Sequence, residues 1–371
     1  KGGRAMDATM TRATLRTAVA YGVAAATVLA SAAVLRRRRR GKEQPVPLDV
    51  REKGTTTPKK AVKWLFLGAG RVAHDFANAM KVVESAELYG VAVRSSKDLE
   101  RCEDFAARHG FRKTYASYEE ALEDPDVDVV YLSAMHSARH VHVPMILNAG
   151  KHCVAEKPIA KNLTDAQRFF DLAASKNLFL TEGMWTRYFP AVEKARELMD
   201  SGAVGSVVNV IAEFGFDAGD SGNYPSFSGA AGGDPIYDAD LGGGALLWAG
   251  PYPIAAGLLP FAGQSPSTMA ATGILDERTS VELSCATALS FARSGGKSDG
   301  RPRTGCPARG ATASLFTCVD AETPEVTTYV GQSGRVVVEA PAHCPTRCTL
   351  HKKASGRGAI ETTSFDFPLP A

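Results

Sequence analysis

Short apolar runs alternate with amphipathic stretches from residue 61 to residue 182. The apolar runs predict buried strands at 62–67, 87–93, 114–115, 128–133 and 152–155, and the stretches between them predict helices at 71–83, 99–109, 118–122 and 141–149. Strands that alternate with crossover helices form a parallel sheet with helices on both faces. The pattern therefore predicts a Rossmann-like α/β domain over residues 61–182.

The first apolar run leads directly into a glycine-rich turn, GAGRVA. In a dinucleotide-binding fold, Gly68 allows the tight turn, Gly70 lets the backbone approach the phosphates, and the helix that follows offers unpaired N–H groups. Ala73 replaces the third glycine of G-x-G-x-x-G, a variant that the fingerprint tolerates. We expect the two glycines, together with Arg71 and Val72, to form a cofactor cradle.

Other candidate cofactor ligands follow the later strands. Arg94 comes 24 residues after Gly70, near the position where an NAD site carries an acid. Because an arginine there suits a ribose 2′-phosphate, we predict NADP, with NAD less favoured; an exposed arginine without a ligand is the alternative. We also expect His136 and Glu156, at the carboxyl ends of two further strands, to contact the cofactor.

The length and charge distribution narrow the class of protein. The chain has 371 residues, is 44% hydrophobic and 22% charged, and is long enough for two globular domains. Residues 1–42 hold ten basic residues against one acid, so that 33 basic and 39 acidic residues remain for 43–371, a net charge of −6. An acidic body argues against a nucleic-acid surface.

Cysteine and histidine positions give no sign of disulfides or of a metal. The seven cysteines are scattered without a C-x-x-C motif, which indicates reduced thiols in a non-secretory compartment. His343, Cys344, Cys348 and His351 lie close in sequence, but their spacing fits none of the usual zinc-ligand pairs. We therefore expect no metal.

The N-terminal segment reads as a membrane or targeting element. Residues 17–35 are uncharged and are followed at once by five arginines, which predicts an anchor that leaves the body in the cytosol. The Ala-rich, acid-poor composition and an Ala-Ser-Ala at 30–32 equally suit an organellar transit or signal peptide. We expect 1–42 to be an anchor or a targeting segment, and the Pro- and Thr-containing 43–60 to be a linker.

Five ordered motifs carry a resemblance to a known family. GAGRVAHDF, AGKHCVAEKP with the Asn-Leu that follows, EGMWTRYFP, LGGGALL and the segment after it together resemble the Gfo/Idh/MocA oxidoreductases, most closely the dimeric dihydrodiol dehydrogenase branch. The similarity spans about residues 61–370. It implies that 183–371 form an α+β domain with an open, mostly antiparallel sheet, a homodimer, and an NADP-dependent hydride transfer on trans-dihydrodiols or pyranoses such as D-xylose.

The resemblance also assigns catalytic residues. Lys157, in the E-K-P motif at the end of a strand, matches the family's catalytic lysine, and Tyr252 matches the acid/base. Hydride transfer from a carbinol needs both a group that takes the hydroxyl proton and a cation that stabilises the alkoxide, and an ammonium lowers the pKa of a nearby phenol. Trp185 and Arg187, in the W-x-R segment, are candidates to line the substrate pocket; a core aromatic beside a solvated arginine is the alternative.

Three departures from the family pattern leave a second function open. Trp248 occupies the position of a family aspartate, residues 294–309 interrupt a predicted hairpin, and the sequence is expected to lack a helical C-terminal segment. The first hypothesis is an NADP-dependent dehydrogenase that acts on a cyclic diol or a sugar-like polyol. The second is a non-catalytic NADP(H)-binding protein with a degraded active site.

Overall fold

The computed structural model describes residues 61–219, 235–261, 264–292, 310–354 and 359–369. The expected anchor or targeting segment, the linker at 43–60 and the insert at 294–309 lie outside these ranges. Within them, no helix has the length and apolar character needed to cross a bilayer. The chain divides into two compact units, one ending at Gly183 and the other beginning at Met184.

The first unit alternates strands and helices. Its described strands are β1 Val62–Leu67, β2 Ala86–Ala92, β3 Lys113–Tyr115, β4 Val129–Leu132, β5 His152–Glu156 and β6 Leu180–Gly183. Its described helices are α1 Arg71–Met80, α2 Leu99–His109, α3 Tyr118–Glu123, α4 Arg139–Asn148 and α5 Leu163–Ser175. The helix expected to reach residue 83 ends at Met80, because Lys81, Val82 and Val83 donate to carbonyls three residues back and so form tight turns instead.

The strands form one sheet in the order β3-β2-β1-β4-β5-β6, and every pair is parallel. The strand order reverses between β1 and β4, and ligands of doubly wound sheets bind at the carboxyl ends of the strands beside such a reversal. The predicted Rossmann-like parallel sheet is confirmed.

Both faces of this sheet are buried, which explains why β1 is apolar at almost every position. Leu65 and Leu67 pack into a cluster that includes Val130 and Phe169. Their neighbours in sequence point the other way: the ring centroids of Trp64 and Phe66 lie 5.8 and 5.6 Å from that of Phe76 on α1. A strand covered on two sides needs apolar residues in continuous runs.

The second unit contains a larger sheet. Its described strands are β7 Val207–Gly215, β8 Thr268–Leu275, β9 Glu282–Phe291, β10 Ala311–Cys318, β11 Thr327–Gly331, β12 Gly334–Val338, β13 Arg347–Lys353 and β14 Ile360–Asp366, and its described helices are α6 Pro190–Asp200, α7 Ala245–Trp248 and α8 Pro251–Leu258. The strand order is β14-β13-β12-β11-β7-β10-β9-β8. Apart from the parallel pair of β7 and β10, all neighbours are antiparallel, as the resemblance implies.

Helices cover part of one face of this sheet, the other face is exposed, and the edge strand β8 is exposed at every position. Helix α8 packs on β7 and β10, where a Cβ atom at Gly257 would come within 2.8 Å of Leu315. Side chains of the opposite face are exposed along the register that joins Ile211 to Ser314, Ala288 and Ala270. This face has mostly small side chains.

Candidate functional site

The turn after β1 requires glycine at its first position. Gly68 has φ of +102°, and a Cβ atom there would come 2.6 Å from the Ser133 Oγ. The N–H of Gly68 donates to the Ala92 carbonyl oxygen (3.0 Å), and Ser133 Oγ donates to the Gly68 carbonyl oxygen (3.0 Å). The turn is therefore tied to both strands that flank β1.

Helix α1 begins at this turn without a side-chain cap. Its N-cap residue is Gly70, the first turn holds no acidic residue, and no atom lies within 4 Å of a Cβ atom built on Gly70. Arg71 and Val72 are exposed in the same turn. An uncapped helix N-terminus beside open space fits a diphosphate, which the first N–H groups and the helix dipole attract.

Two arginines lie beyond the turn. Arg94 follows β2 and is exposed, which agrees with a contact to a 2′-phosphate and equally with the alternative of an arginine without a ligand. Arg101, on the first turns of α2, donates from Nη2 to the Ala69 carbonyl oxygen at 2.9 Å. Sequence reasoning missed Arg101, which ties α2 to the glycine turn.

The carboxyl end of β4 leads into a short helical turn, His136–Ala138, and then into α4. His136, expected to contact the cofactor, is buried with 6% exposure. Arg139, the first residue of α4, is 3% exposed and lies against the end of β5.

The E-K-P motif forms the end of β5, and the Lys157–Pro158 peptide bond is cis. Glu156 is partly buried, accepts a hydrogen bond from Tyr131 Oη (2.9 Å) and another from the Lys157 N–H (3.2 Å), and burial raises the pKa of its carboxyl. Its described contacts are with Tyr131 and the neighbouring backbone, and a contact of Glu156 with the cofactor stays a prediction.

The pKa of the Lys157 amine is set by opposing effects of its surroundings. Burial lowers the pKa of its amine to about 8; Glu156 and then Glu182 raise it in opposition, and the Arg139 cation lowers it further. Near neutral pH this amine exists in both protonation states, as an acid/base or electrostatic catalyst needs.

In the second unit, the structure brings Trp185 and Tyr252 together. The indole Nε1–H of Trp185 donates to Tyr252 Oη at 3.0 Å. Phe214 packs on Tyr252 with ring centroids 4.7 Å apart. The phenol is thus held by a hydrogen bond on one side and by an aromatic ring on another.

A histidine that sequence reasoning had set aside joins this cluster. The His343 ring lies 5.5 Å from the Tyr252 ring and 4.7 Å from the Phe214 ring. Its Nδ1 lies 3.0 Å from Glu325 Oε2 and its Nε2 lies 3.4 Å from Cys344 Sγ. Burial raises the pKa of the Cys344 thiol to about 12, so this thiol keeps its proton at neutral pH.

The glycine run before Tyr252 explains how its helices are placed. A Cβ atom at Gly243 would come 2.4 Å from the Ile236 carbonyl oxygen, and one at Gly244 would come 2.4 Å from the Glu282 carboxyl. Glu282 in turn accepts from the Leu246 N–H at 2.9 Å. The glycines therefore permit a close approach that fixes the start of α7 and leads into α8.

Trp248 and Arg187 lie in two different environments, an apolar cluster and the border of a small cavity. Trp248 packs against an apolar cluster that includes Ile236 and Val319, so this position serves the core of the second unit. Arg187 is exposed and borders a cavity of about 20 Å³ with Tyr329, a cavity whose lining residues do not include Trp185 or Tyr252.

Sequence reasoning missed Arg101, Arg139, Glu325 and His343 for one reason. Their partners are backbone carbonyls or side chains distant in sequence, and no sequence motif predicts such contacts. The left-handed backbone of Glu325, with φ of 53°, has no signal in the sequence either.

Comparisons with known proteins agree with this architecture. Residues 62–184 match the sequence model described as an oxidoreductase family with an NAD-binding Rossmann fold, and 192–337 match the GFO/IDH/MocA C-terminal domain. Trans-1,2-dihydrobenzene-1,2-diol dehydrogenases from Danio rerio and Homo sapiens are 32% and 29% identical over 312 and 311 residues, and each alignment covers 84% of this chain and 81% of the relative.

Solved structures share the fold. A 3-ketoreductase from Actinomadura kijaniata in complex with NADP and TDP-benzene superposes with a TM-score of 0.65 at 23% identity, over 84% of this chain and 85% of that one. The aldose-aldose oxidoreductase from Caulobacter crescentus, complexed with glycerol, gives 0.63 at 20% identity over the same shares. The chain is thus a dehydrogenase with an NAD(P)-binding Rossmann domain, and it belongs to the Gfo/Idh/MocA oxidoreductase family.

Proposed function

We propose that this protein is an NADP-dependent dehydrogenase that acts on a trans-dihydrodiol or a pyranose-type polyol. The observation that carries the proposal is Lys157, a partly buried lysine with a lowered pKa at the carboxyl end of β5 in a dinucleotide-binding sheet. The names of the relatives support the substrate class.

Each candidate residue has a distinct chemical task. A bound nicotinamide would supply or accept the hydride. In the direction of carbonyl reduction, Tyr252 gives its phenolic proton to the substrate oxygen, and in oxidation it takes that proton back. The Trp185 N–H donates a hydrogen bond to Tyr252 Oη, so the phenolic proton points away from the indole. The Lys157 ammonium stabilises the negative charge that develops on the substrate oxygen.

The preference for NADP rests on the cations that follow β2. Arg94 is exposed at the strand end and suits a 2′-phosphate. Arg101 is tied to the glycine turn and adds a second cation on the same side of the sheet's carboxyl edge. The NADP in the 3-ketoreductase structure is consistent with this choice.

A fluorescence titration with NADPH and NADH tests the proposal together with turnover on dihydrodiols and pyranoses. We expect NADH to bind at least about tenfold more weakly than NADPH, a difference of roughly 1.4 kcal/mol. Arg94→Asp should remove the difference, while Arg168→Asp, an equal charge change at an exposed site on α5, should keep it. Equal affinities in the unaltered protein would contradict the NADP assignment, and cofactor binding without turnover of either substrate class would contradict the proposed substrates.

We also propose that the protein is a homodimer that pairs through the exposed face of the second sheet. The small side chains of that face, and the exposed Ile211 and Ile274 among them, support a flat interface between two copies.

A further inference from the structure

Arg139 is a buried cation. Every hydrogen bond that the structure describes for its side chain goes to a backbone carbonyl oxygen. Nε and Nη2 donate to the Ala134 carbonyl oxygen at 3.1 and 2.9 Å. Nη1 donates to the carbonyl oxygens of Glu156 and Pro158. One guanidinium thus joins the segment after β4 to the segment after β5.

The carbonyls on the β5 side flank Lys157. Glu156 is the residue before it and Pro158 is the residue after it. Because both neighbouring carbonyls are held by the same Nη1, the backbone at Lys157 cannot turn without breaking a charge-assisted hydrogen bond in a buried place. The lysine side chain therefore departs from a fixed point.

A guanidinium is suited to this task and an ammonium is not. Its planar fork directs N–H groups to opposite sides, so it reaches Ala134 and the two β5 carbonyls at once. A lysine at the same position has three donors on one nitrogen and cannot span both segments. Burial lowers the pKa of Arg139 to about 10, and the side chain still stays charged at neutral pH.

We propose that Arg139 is a positioning residue for Lys157: its guanidinium fixes the lysine's backbone between the ends of β4 and β5 and places a permanent cation beside the lysine amine. This inference rests on the catalytic role proposed above for Lys157.

Charges from each neighbouring strand act on the amine. Burial is the main cause that lowers the pKa of Lys157; Glu156 on β5 and Glu182 on β6 raise it, and Arg139 on α4 lowers it. Tyr131 on β4 is hydrogen-bonded to Glu156 and remains a neutral phenol because burial raises its pKa well above the ordinary value. Arg139 is therefore the neighbouring cation that opposes the two carboxylates.

Two variants of Arg139 separate the effect of its positive charge from the effect of its branched hydrogen-bond donors. A variant of Lys151 serves as a matched control. Arg139→Lys keeps a positive charge and loses the fork, whereas Arg139→Gln loses both. Lys151 is also a buried cation on backbone carbonyls, with Nζ 2.7 Å from Asp124 O and 3.0 Å from Val127 O, but it precedes β5 and so lies at the opposite end of the strand. Lys151→Met thus removes a comparable clamp away from Lys157.

The experiment measures kcat, the KM for NADPH, the melting temperature and the pH dependence of Lys157 acylation by acetic anhydride, read by mass spectrometry on the full chain. For Arg139→Lys we expect kcat to fall about 10- to 100-fold with KM changed less than about threefold, because misplacement of a reacting group lowers the chemical step. For Arg139→Gln we expect, in addition, a Lys157 pKa that rises toward 10.5, its ordinary value. Lys151→Met should lower the melting temperature and leave kcat and the acylation pKa unchanged.

The outcomes distinguish this proposal from the proposed function. If Arg139→Gln leaves the acylation pKa where it was, or if both Arg139 variants lose only thermal stability as Lys151→Met does, the positioning role is wrong. If the unaltered protein turns over no diol or pyranose but the acylation pKa still rises in Arg139→Gln, the coupling of Arg139 to Lys157 stands and the proposed substrate class fails. If Arg139→Gln does not fold, Arg139→Lys decides through kcat.

Discussion

Lys157 is partly buried among strand ends, where the surroundings disfavour its charged form. Its pKa is about 8 in the folded protein and 10.5 in the unfolded chain, so the unfolded state binds more protons at intermediate pH. The ammonium therefore costs stability in full below pH 8, and this cost is relieved as the pH rises from 8 to 10.5. The catalytic role proposed for Lys157 would therefore come at a cost in stability.

We predict that Lys157→Met abolishes turnover, keeps NADPH affinity nearly intact and raises stability at pH 7 by about 2 kcal/mol, since it removes the buried charge. Urea denaturation at pH 7 and at pH 10 measures the effect, and the gain should shrink at the higher pH. Lys161→Met, at an exposed lysine in the next turn, should change neither activity nor stability. A destabilised Lys157→Met protein at pH 7 would contradict the burial argument.

Tyr252 carries the second prediction at the residue scale. Tyr252→Phe removes the proton donor and should lower kcat by about 10²-fold or more. Trp185→Phe keeps the aromatic ring but removes the N–H that donates to the phenol oxygen, so a smaller loss is expected. Steady-state kinetics measure both, and Tyr188→Phe, in the same short helical turn as Trp185, is the control. Full activity of Tyr252→Phe would move the proton donor to another residue.

At this scale the sequence predicts residues that belong to a motif and misses those that act through the backbone. Gly68 and Lys157 stand in recognisable patterns. Arg139 does not, because its partners are carbonyls of Glu156 and Pro158, which are 17 and 19 residues away and could belong to any residue type. The pair of Glu325 and His343 is likewise formed by a left-handed turn that no pattern announces.

At the scale of elements, the two sheets differ in how they are covered. The strands of the first sheet are buried on both faces, whereas the second sheet leaves one face exposed along β7, β10 and β9, and β8 at its edge is exposed at every position. On that face Ala288 pairs in register with Ala270 on β8 and Ser314 on β10. Small side chains at adjacent positions make the face flat, and a flat, exposed sheet face suits contact with a second copy.

We predict that Ala288→Arg converts the proposed dimer to a monomer. A long charged side chain at the centre of a flat interface leaves a desolvated charge without a partner. Sedimentation velocity measures the change, and Gln167→Arg on helix α5 of the first unit is the control. A monomer before any substitution would refute the dimer itself.

The elements of the first unit follow from the sequence more completely than those of the second. Alternating apolar runs and amphipathic stretches predict β1 to β5 and α1 to α4, since a buried parallel strand has to be apolar throughout, whereas α5 and β6 are not among the predicted elements. The second sheet also shows its strands, for example the hairpin of β9 and β10. The place of β7 was not predictable, because its neighbours β10 and β11 come much later in the chain.

At the scale of the whole molecule, the two units differ in how far apart in sequence their contacts are. Strands that are consecutive in the chain are neighbours in the first sheet, except that the chain crosses from β3 over β2 and β1 before β4 pairs with β1. In the second sheet, Asn209 on β7 is paired with Thr312 on β10, and their side chains meet at 3.0 Å across a separation of 103 residues.

This pairing has a consequence for biosynthesis. When β7 leaves the ribosome, neither of its neighbouring strands exists yet, and about 5 to 20 s pass before β10 has been made at ordinary rates of elongation. The first unit completes its sheet during this interval. Until β10 and β11 have been made, the apolar strand β7 has no hydrogen-bonded neighbour on either edge. We therefore expect the nascent chain to bind chaperones that protect exposed strands, and we expect truncated products of its synthesis to aggregate.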